Sequence, residues 1–320
     1  MLNIVIDLGL VALGFVLLVG GGEALVKGAI DLAAKLRISP LIIGMTVVAM
    51  GTSAPELVVS VMSALSGHAD LAIGNVIGSN IANVLLVLGV PALLHPMRTA
   101  QIGLPRQTNL MMLFSIGFVG LLFLGRLGPL EGAALLTALA FFLYTCATGS
   151  VHLPALDEVN EQLGDSNKDQ LTYPKMFFWL LLGMGLLPLG ADLVVQSGSN
   201  LAAALGVSEA LIGLTIVALG TSLPELATTV AAAIRKNADI ALGNVVGSNI
   251  LNMLAIVGIT TLIAELTIAP VFLQFDVWVM LVSSLFLTVL VWRKQVIGSK
   301  IGMLLLAGYG AYFYKLIVTA

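Results

Sequence analysis

The stretch "IIGMTVVAMGTSAPELVVSVMSAL", residues 42–65, reads as a membrane-spanning helix interrupted at its centre. Both ends are apolar, yet Gly51, Thr52, Ser53, Pro55 and Glu56 stand where lipid would lie. Proline has no N–H and crowds the carbonyl four residues back, so carbonyls near Thr52 lose their helical partners. Such backbone is tolerated at membrane depth only where protein buries it or a cavity receives it. The stretch thus implies a membrane fold with a polar site inside it.

The same device occurs twice. Residues 44–56, "GMTVVAMGTSAPE", match residues 213–225, "GLTIVALGTSLPE", at nine of thirteen positions. Residues 70–83, "DLAIGNVIGSNIAN", match residues 239–252, "DIALGNVVGSNILN", at ten of fourteen. Both pairs share an offset of 169 residues with no gap between them. A weaker third pair, "GGEALVKGAIDLA" at 21–33 and "GADLVVQSGSNLA" at 190–202, keeps that offset. The chain therefore reads as a duplication.

Composition agrees with a membrane fold: of 320 residues, 59% are hydrophobic and 10% charged, with mean hydropathy +1.07. Soluble domains carry roughly 25% charged residues. At about 20 apolar residues per span, ten spans are expected, near 2–24, 38–65, 70–94, 107–124, 128–148, 174–197, 207–234, 239–263, 271–292 and 298–318. The first has no basic region before it and reads as a retained helix, not a cleaved signal. The expected fold is all-α, two five-helix repeats at 1–149 and 174–320, with the second and seventh helices broken. An odd number of spans per repeat turns the second half upside down, the organisation of many secondary transporters.

Residues 150–173 form the one long polar connection, acidic through Asp157, Glu158, Glu161, Asp165 and Asp169. It lacks the glycine and ligand spacing of a calcium loop and reads as a solvated linker. With ten spans, one membrane face receives Lys27, Lys35, Arg37, Arg98, Arg106, Lys168, Lys175, Arg235, Lys236, Arg293, Lys294 and Lys300. The other receives Arg126 and Lys315, so twelve of fourteen basic residues lie on one side. That side is expected to be cytoplasmic, which places both termini outside.

The candidate site follows from the repeats. Thr52, Ser53, Thr221 and Ser222, with the freed carbonyls, offer oxygens to a hard cation, and Glu56 and Glu225 add charge. A mid-membrane carboxylate costs about 2.5 kcal/mol or more on insertion scales, and such acids are functional by default. The alternative is a protonated glutamate bonded to backbone. Ser79, Asn83, Ser248 and Asn252 lie one turn apart on one face of the facing helices, as ligands or as interhelical hydrogen bonds. Asn75, Asn80, Asn244 and Asn249 fall off that face and read as structural, and Asp70, Asp239, Glu23 and Asp192 as solvated residues near span ends.

Other classes find little support. No basic face suggests nucleic acid, and Cys146, the single cysteine, permits no internal disulfide. His68, His95 and His152 share no metal-binding spacing, and no HExxH motif is present, so an intramembrane enzyme lacks its chemistry. No cofactor motif is present and no segment requires a protein partner. A passive channel remains open as an alternative at this level.

At these motifs the chain resembles the cation/calcium exchanger superfamily, most closely its prokaryotic sodium/calcium exchanger branch. The paired GTS-x-PE and GN-x-x-GSN-x-x-N motifs are similar to that family's alpha repeats. The resemblance implies antiport of calcium against sodium by alternating access in a prokaryotic cytoplasmic membrane, with calcium/proton antiport as the alternative. It implies Glu56 and Glu225 as central ligands and Thr52, Ser53, Thr221, Ser222, Ser79, Asn83, Ser248 and Asn252 as ion-site positions. It also implies that the first and sixth spans slide across the site. Several relatives carry aspartate where Asn252 stands, so this site holds at most two carboxylates.

Overall fold

The computed structural model describes residues 2–149, 172–206 and 218–319. The acidic connection at 150–171 and residues 207–217, the start of the expected seventh span, lie outside them. The described chain is mostly helical. Helix α1 (Leu2–Leu36) is followed by α2 (Pro40–Thr52) and α3 (Ala54–Leu65), which meet at a 45° bend. Helices α4 (Ala69–Leu94), α5 (Leu104–Leu122), α6 (Pro129–Gly149) and α7 (Tyr173–Ala204) come next. After a short turn, Ala218–Gly220, come α8 (Leu223–Ile234), α9 (Ala238–Ile263), α10 (Asp276–Trp292) and α11 (Ser299–Thr319).

Six of these helices are each long and apolar enough to cross a bilayer, and the bent α2–α3 pair makes a seventh. Helices α8 and α10 are apolar but shorter, at 12 and 17 residues. Helix α1 runs twelve residues beyond its expected end at 24, because Lys27, Asp31 and Lys35 continue a helix whose opposite side stays buried.

Burial sorts the helices into an inner and an outer set. In their most apolar windows, α4 and α9 are 78% buried, whereas α1 and α11 are 17% buried. Val5, Val16, Val19, Leu181 and Met303 present apolar side chains outward, as a surface facing lipid requires. The two central helices can come close to their partners because glycines line them. A Cβ on Gly243 would stand 2.5 Å from the Leu41 carbonyl oxygen, and one on Gly247 2.5 Å from Met45 Cα. Only backbone fits between α9 and α2 there.

Helices α1 and α7 pack along each other by the same device. Gly14 lies against Gly190, and Gly183 against Gly21 and Leu25, with hypothetical Cβ atoms 2.6–2.8 Å from backbone atoms of the partner. Lys27 over Trp179 and Lys35 over Tyr173, both 4.7 Å from the ring centroid, fasten one end of the pair.

Two short ladders tie the halves of the chain together. Strand β1 (Met97–Arg98) pairs antiparallel with β4 (Val296–Ile297), and β2 (Arg126–Leu127) with β3 (Leu266–Thr267). Each ladder joins a loop of the first half to one of the second.

Candidate cation site

Pro55 and Pro224 each occupy the second position of a helix, α3 and α8, where the missing N–H would have had no partner. The preceding helix ends one residue before Ser53, and Ser53 N–H still bonds the Ala49 carbonyl at 2.9 Å. The chain therefore turns by 45° without unravelling. Glu56 and Glu225 fall at the third position of α3 and α8, where a helix N-terminus favours negative charge. The C-terminus of α2 lies at the same break, one residue before Ser53, and a helix C-terminus favours positive charge.

The two glutamates are fully buried and lie within direct electrostatic reach of each other. Ser53 donates to Glu225 Oε1 at 3.0 Å, across the two halves, and Ser248 Oγ lies 3.5 Å from the same oxygen. Glu225 Oε2 and both Glu56 carboxyl oxygens have no hydrogen-bond donor among the described residues. Among the described residues no Lys or Arg pairs with either acid; Arg126 pairs with Glu265 and Arg235 with Glu23. Three buried carboxyl oxygens thus converge without a donor.

All ten residues expected at the site are buried. Ser79 Oγ, Ser222 Oγ, Asn83 Oδ1 and both amide atoms of Asn252 are unpartnered among the described residues. Asn83 donates to Asn249 Oδ1 at 3.1 Å. Buried polar atoms are almost always satisfied, so this concentration around two carboxylates marks a place for a ligand. With two carboxylates and many neutral oxygens, the donor set suits a hard cation. Among the described residues no group of three or more His, Cys, Asp or Glu side chains gathers anywhere.

Asn75 and Asn244, read from sequence as structural, take part in building the site. Asn75 Nδ2 donates to the Glu56 carbonyl at 3.2 Å and to Ser60 at 3.0 Å. Asn244 Nδ2 reaches the Glu225 carbonyl at 3.4 Å and Thr229 at 3.1 Å. Each amide oxygen accepts a hydroxyl from the other half: Thr221 to Asn75 at 3.3 Å, Thr52 to Asn244 at 3.1 Å. These cross-braces orient the threonines and hold both glutamate backbones. Their sequence signal was the match of both asparagines between repeats.

A second feature left less trace in the sequence. Helix α4 widens to a π-helical turn over Asn83–Val87, and α9 does so over Asn252–Ile256. Such turns commonly sit at functional positions, and each begins at the asparagine of the site. One acid differs from the solvated reading: Asp239 Oδ1 is buried without a hydrogen-bond partner among the described residues, whereas Glu23 pairs with Arg235 while its side chain stays 41% exposed.

The family profile described as "Sodium/calcium exchanger protein" matches residues 6–148 and 175–318. The inner membrane protein YrbG of Escherichia coli is 37% identical, the match covering 94% of this chain and 93% of YrbG. The sodium/calcium exchanger MaX1 of Methanosarcina acetivorans is 35% identical over 98% of this chain and 99% of its own. A solved structure of the sodium-calcium exchanger NCX_Mj, soaked with zero Na+ and Ca2+, superposes with a TM-score of 0.83 at 30% identity, covering 98% of this chain and 99% of that one. Buried carboxylates at two helix breaks, matching repeats and these full-length relatives lead to one conclusion: the chain is a membrane transporter belonging to the sodium/calcium exchanger family.

Proposed function

We propose that this protein exchanges calcium for sodium by alternating access, with Glu56 and Glu225 as the central cation ligands. The observation that carries the reading is the pair of buried glutamates from the two halves, with three carboxyl oxygens lacking any donor among the described residues. Thr52, Ser53, Thr221, Ser222, Ser79, Asn83, Ser248 and Asn252 complete the proposed coordination shell. Two unpaired carboxylates carry a charge of −2, which one Ca2+ or two Na+ would neutralise. Exchange is then expected near two sodium ions per calcium, without net charge movement.

In this reading residues 1–149 and 174–320 are two inverted five-helix halves, joined by a cytoplasmic linker at 150–173. The membrane is the prokaryotic cytoplasmic membrane, with both termini outside. The glycine seam makes α1 and α7 a single moving unit. That unit rests against the broken helices: Gly22 of α1 lies on the Ala227 backbone of α8, and Met184 of α7 lies on Gly51. Sliding it would uncover the site from one side and then the other.

A second reading has its own support. The same −2 charge is also neutralised by two protons, and Asn252 removes the third acid that a larger sodium load would use. Reconstituted vesicles decide between them. Radioactive calcium uptake should require an outward sodium gradient and persist when the pH gradient is collapsed. Uptake driven equally well by a pH gradient without sodium would replace sodium with protons.

A further inference from the structure

Met111 of α5 and Met280 of α10 are fully buried, and nothing above uses them. Each sulfur accepts a hydrogen bond from an asparagine of the opposite half. Asn249 Nδ2 lies 3.8 Å from Met111 Sδ, and Asn80 Nδ2 lies 3.7 Å from Met280 Sδ. The two pairs are equivalent, because Asn80 and Met111 become Asn249 and Met280 at the offset of 169 residues. Packing alone explains one amide–sulfur contact; its repetition across the halves asks for a function.

A thioether sulfur accepts a hydrogen bond weakly and cannot donate one. It therefore tells the two ends of an amide apart, since the NH2 end gains by facing it and the oxygen end does not. At Asn249 the selection is doubled. Its Nδ2 also donates to the Asn80 carbonyl at 3.4 Å, so the nitrogen serves two groups that only accept. The other end, Oδ1, is thereby turned to Asn83, whose Nδ2 donates to it at 3.1 Å. With its nitrogen engaged, Asn83 keeps Oδ1 as a buried oxygen that no described residue bonds. A reversed Asn249 would set its oxygen against the sulfur and the carbonyl. It would also offer Asn83 an NH2 group, which Asn83 accepts only by reversing in turn.

A cation needs the oxygen end of Asn83, not its NH2 end. We infer that Met111 is a positioning residue of the cation site, its sulfur fixing the amide of Asn249 and, through it, the oxygen of Asn83. The inference rests on the coordination shell proposed above, in which Asn83 is a ligand. The other half carries the pair without the relay. Asn80 Oδ1 accepts from no described residue, and both amide atoms of Asn252, the counterpart of Asn83, are unpartnered there. Met280 thus orients Asn80 alone, and the amide of Asn252 is not held by it.

Equilibrium binding of radioactive calcium to the purified full-length protein in detergent tests this. Met111→Leu removes the sulfur at similar volume and should melt close to the parent. Its calcium dissociation constant should rise about threefold, near the lower end of what one hydrogen bond contributes. Met111→Gln returns an oxygen acceptor on a side chain of similar length and should bind calcium more tightly than Met111→Leu. Met280→Leu should weaken calcium less than Met111→Leu does. Asn249→Leu breaks the relay without touching Met111 and should weaken calcium at least as much. In an Asn83→Ala background, itself weakened, Met111→Leu should add nothing. Equal weakening with and without the Asn83 amide would make Met111 a packing residue and overturn the inference. Parent-like calcium binding by Met111→Leu or by Asn249→Leu would also overturn it, while the coordination shell stands. If Asn83→Ala binds calcium like the parent, Asn83 is no ligand, and that part of the shell falls together with the inference.

Discussion

Replacing Glu56 by Gln keeps the side chain's size and removes one of two site charges. The structure makes this a clean perturbation, since neither Glu56 carboxyl oxygen accepts a hydrogen bond from a described residue. No donor is orphaned by the change. Two unit charges about 4 Å apart interact by about 4 kcal/mol at an effective dielectric constant of about 20, and a divalent ion doubles this to about 8 kcal/mol. With half of that offset by rehydration of the ion, calcium binding weakens by about 4 kcal/mol, roughly 1000-fold, and sodium by about 2 kcal/mol, roughly 30-fold. Equilibrium binding of radioactive calcium, with sodium competing, measures both constants in the purified protein. An unchanged elution profile and melting temperature verify folding. Equal weakening for the two ions, or a calcium constant within threefold of the parent, would refute a shared electrostatic site.

Other substitutions separate the parts of the site. Ser53→Ala removes the hydroxyl that donates to Glu225 across the halves at 3.0 Å; calcium affinity should fall about tenfold, as for a hydrogen bond to a charged group, which calcium titration would reveal. Asn252→Asp adds a third carboxylate, so the balanced exchange should become sensitive to an imposed membrane potential in vesicles; identical rates at both polarities would oppose this. Gly247→Ala would place a Cβ 2.5 Å from Met45 Cα and should destabilise the fold by about 1–3 kcal/mol. Gly20→Ala meets nothing within 4 Å and serves as its control in the same thermal melts. Protonating either glutamate removes charge that calcium needs, so acid should raise the apparent calcium constant without lowering the maximal rate; a flat profile from pH 5 to 9 would argue against titrating carboxylates.

Much of this was legible in the sequence because the constraints are local and repeated. The pairs Gly51/Pro55 and Gly220/Pro224 locate the breaks without tertiary information, since proline's missing N–H acts within one turn. A carboxylate following each break in an apolar run points to a polar interior at Glu56 and Glu225. What stayed hidden depends on contacts between the halves. Asn75 and Asn244 stand four residues before Ser79 and Ser248, on the same helical face and not off it as the sequence reading has them, and each bonds a threonine of the opposite half. Only the approach of two chain segments 146 and 192 residues apart creates those bonds. The π-helical turns at Asn83 and Asn252 shift the register of everything after them, which a regular helical period does not express. The ion pair that the exposed Glu23 makes with Arg235 is likewise not legible in the sequence, because the two stand 212 residues apart.

The central claim is that one glutamate from each half ligates the same cation. Anomalous diffraction from crystals of the full-length protein soaked in calcium tests it most directly. A single strong peak should lie between Glu56 and Glu225, with at least one carboxyl oxygen of each at about 2.3–2.6 Å. A calcium peak bound by only one of the two, or located away from both helix breaks, would contradict the account.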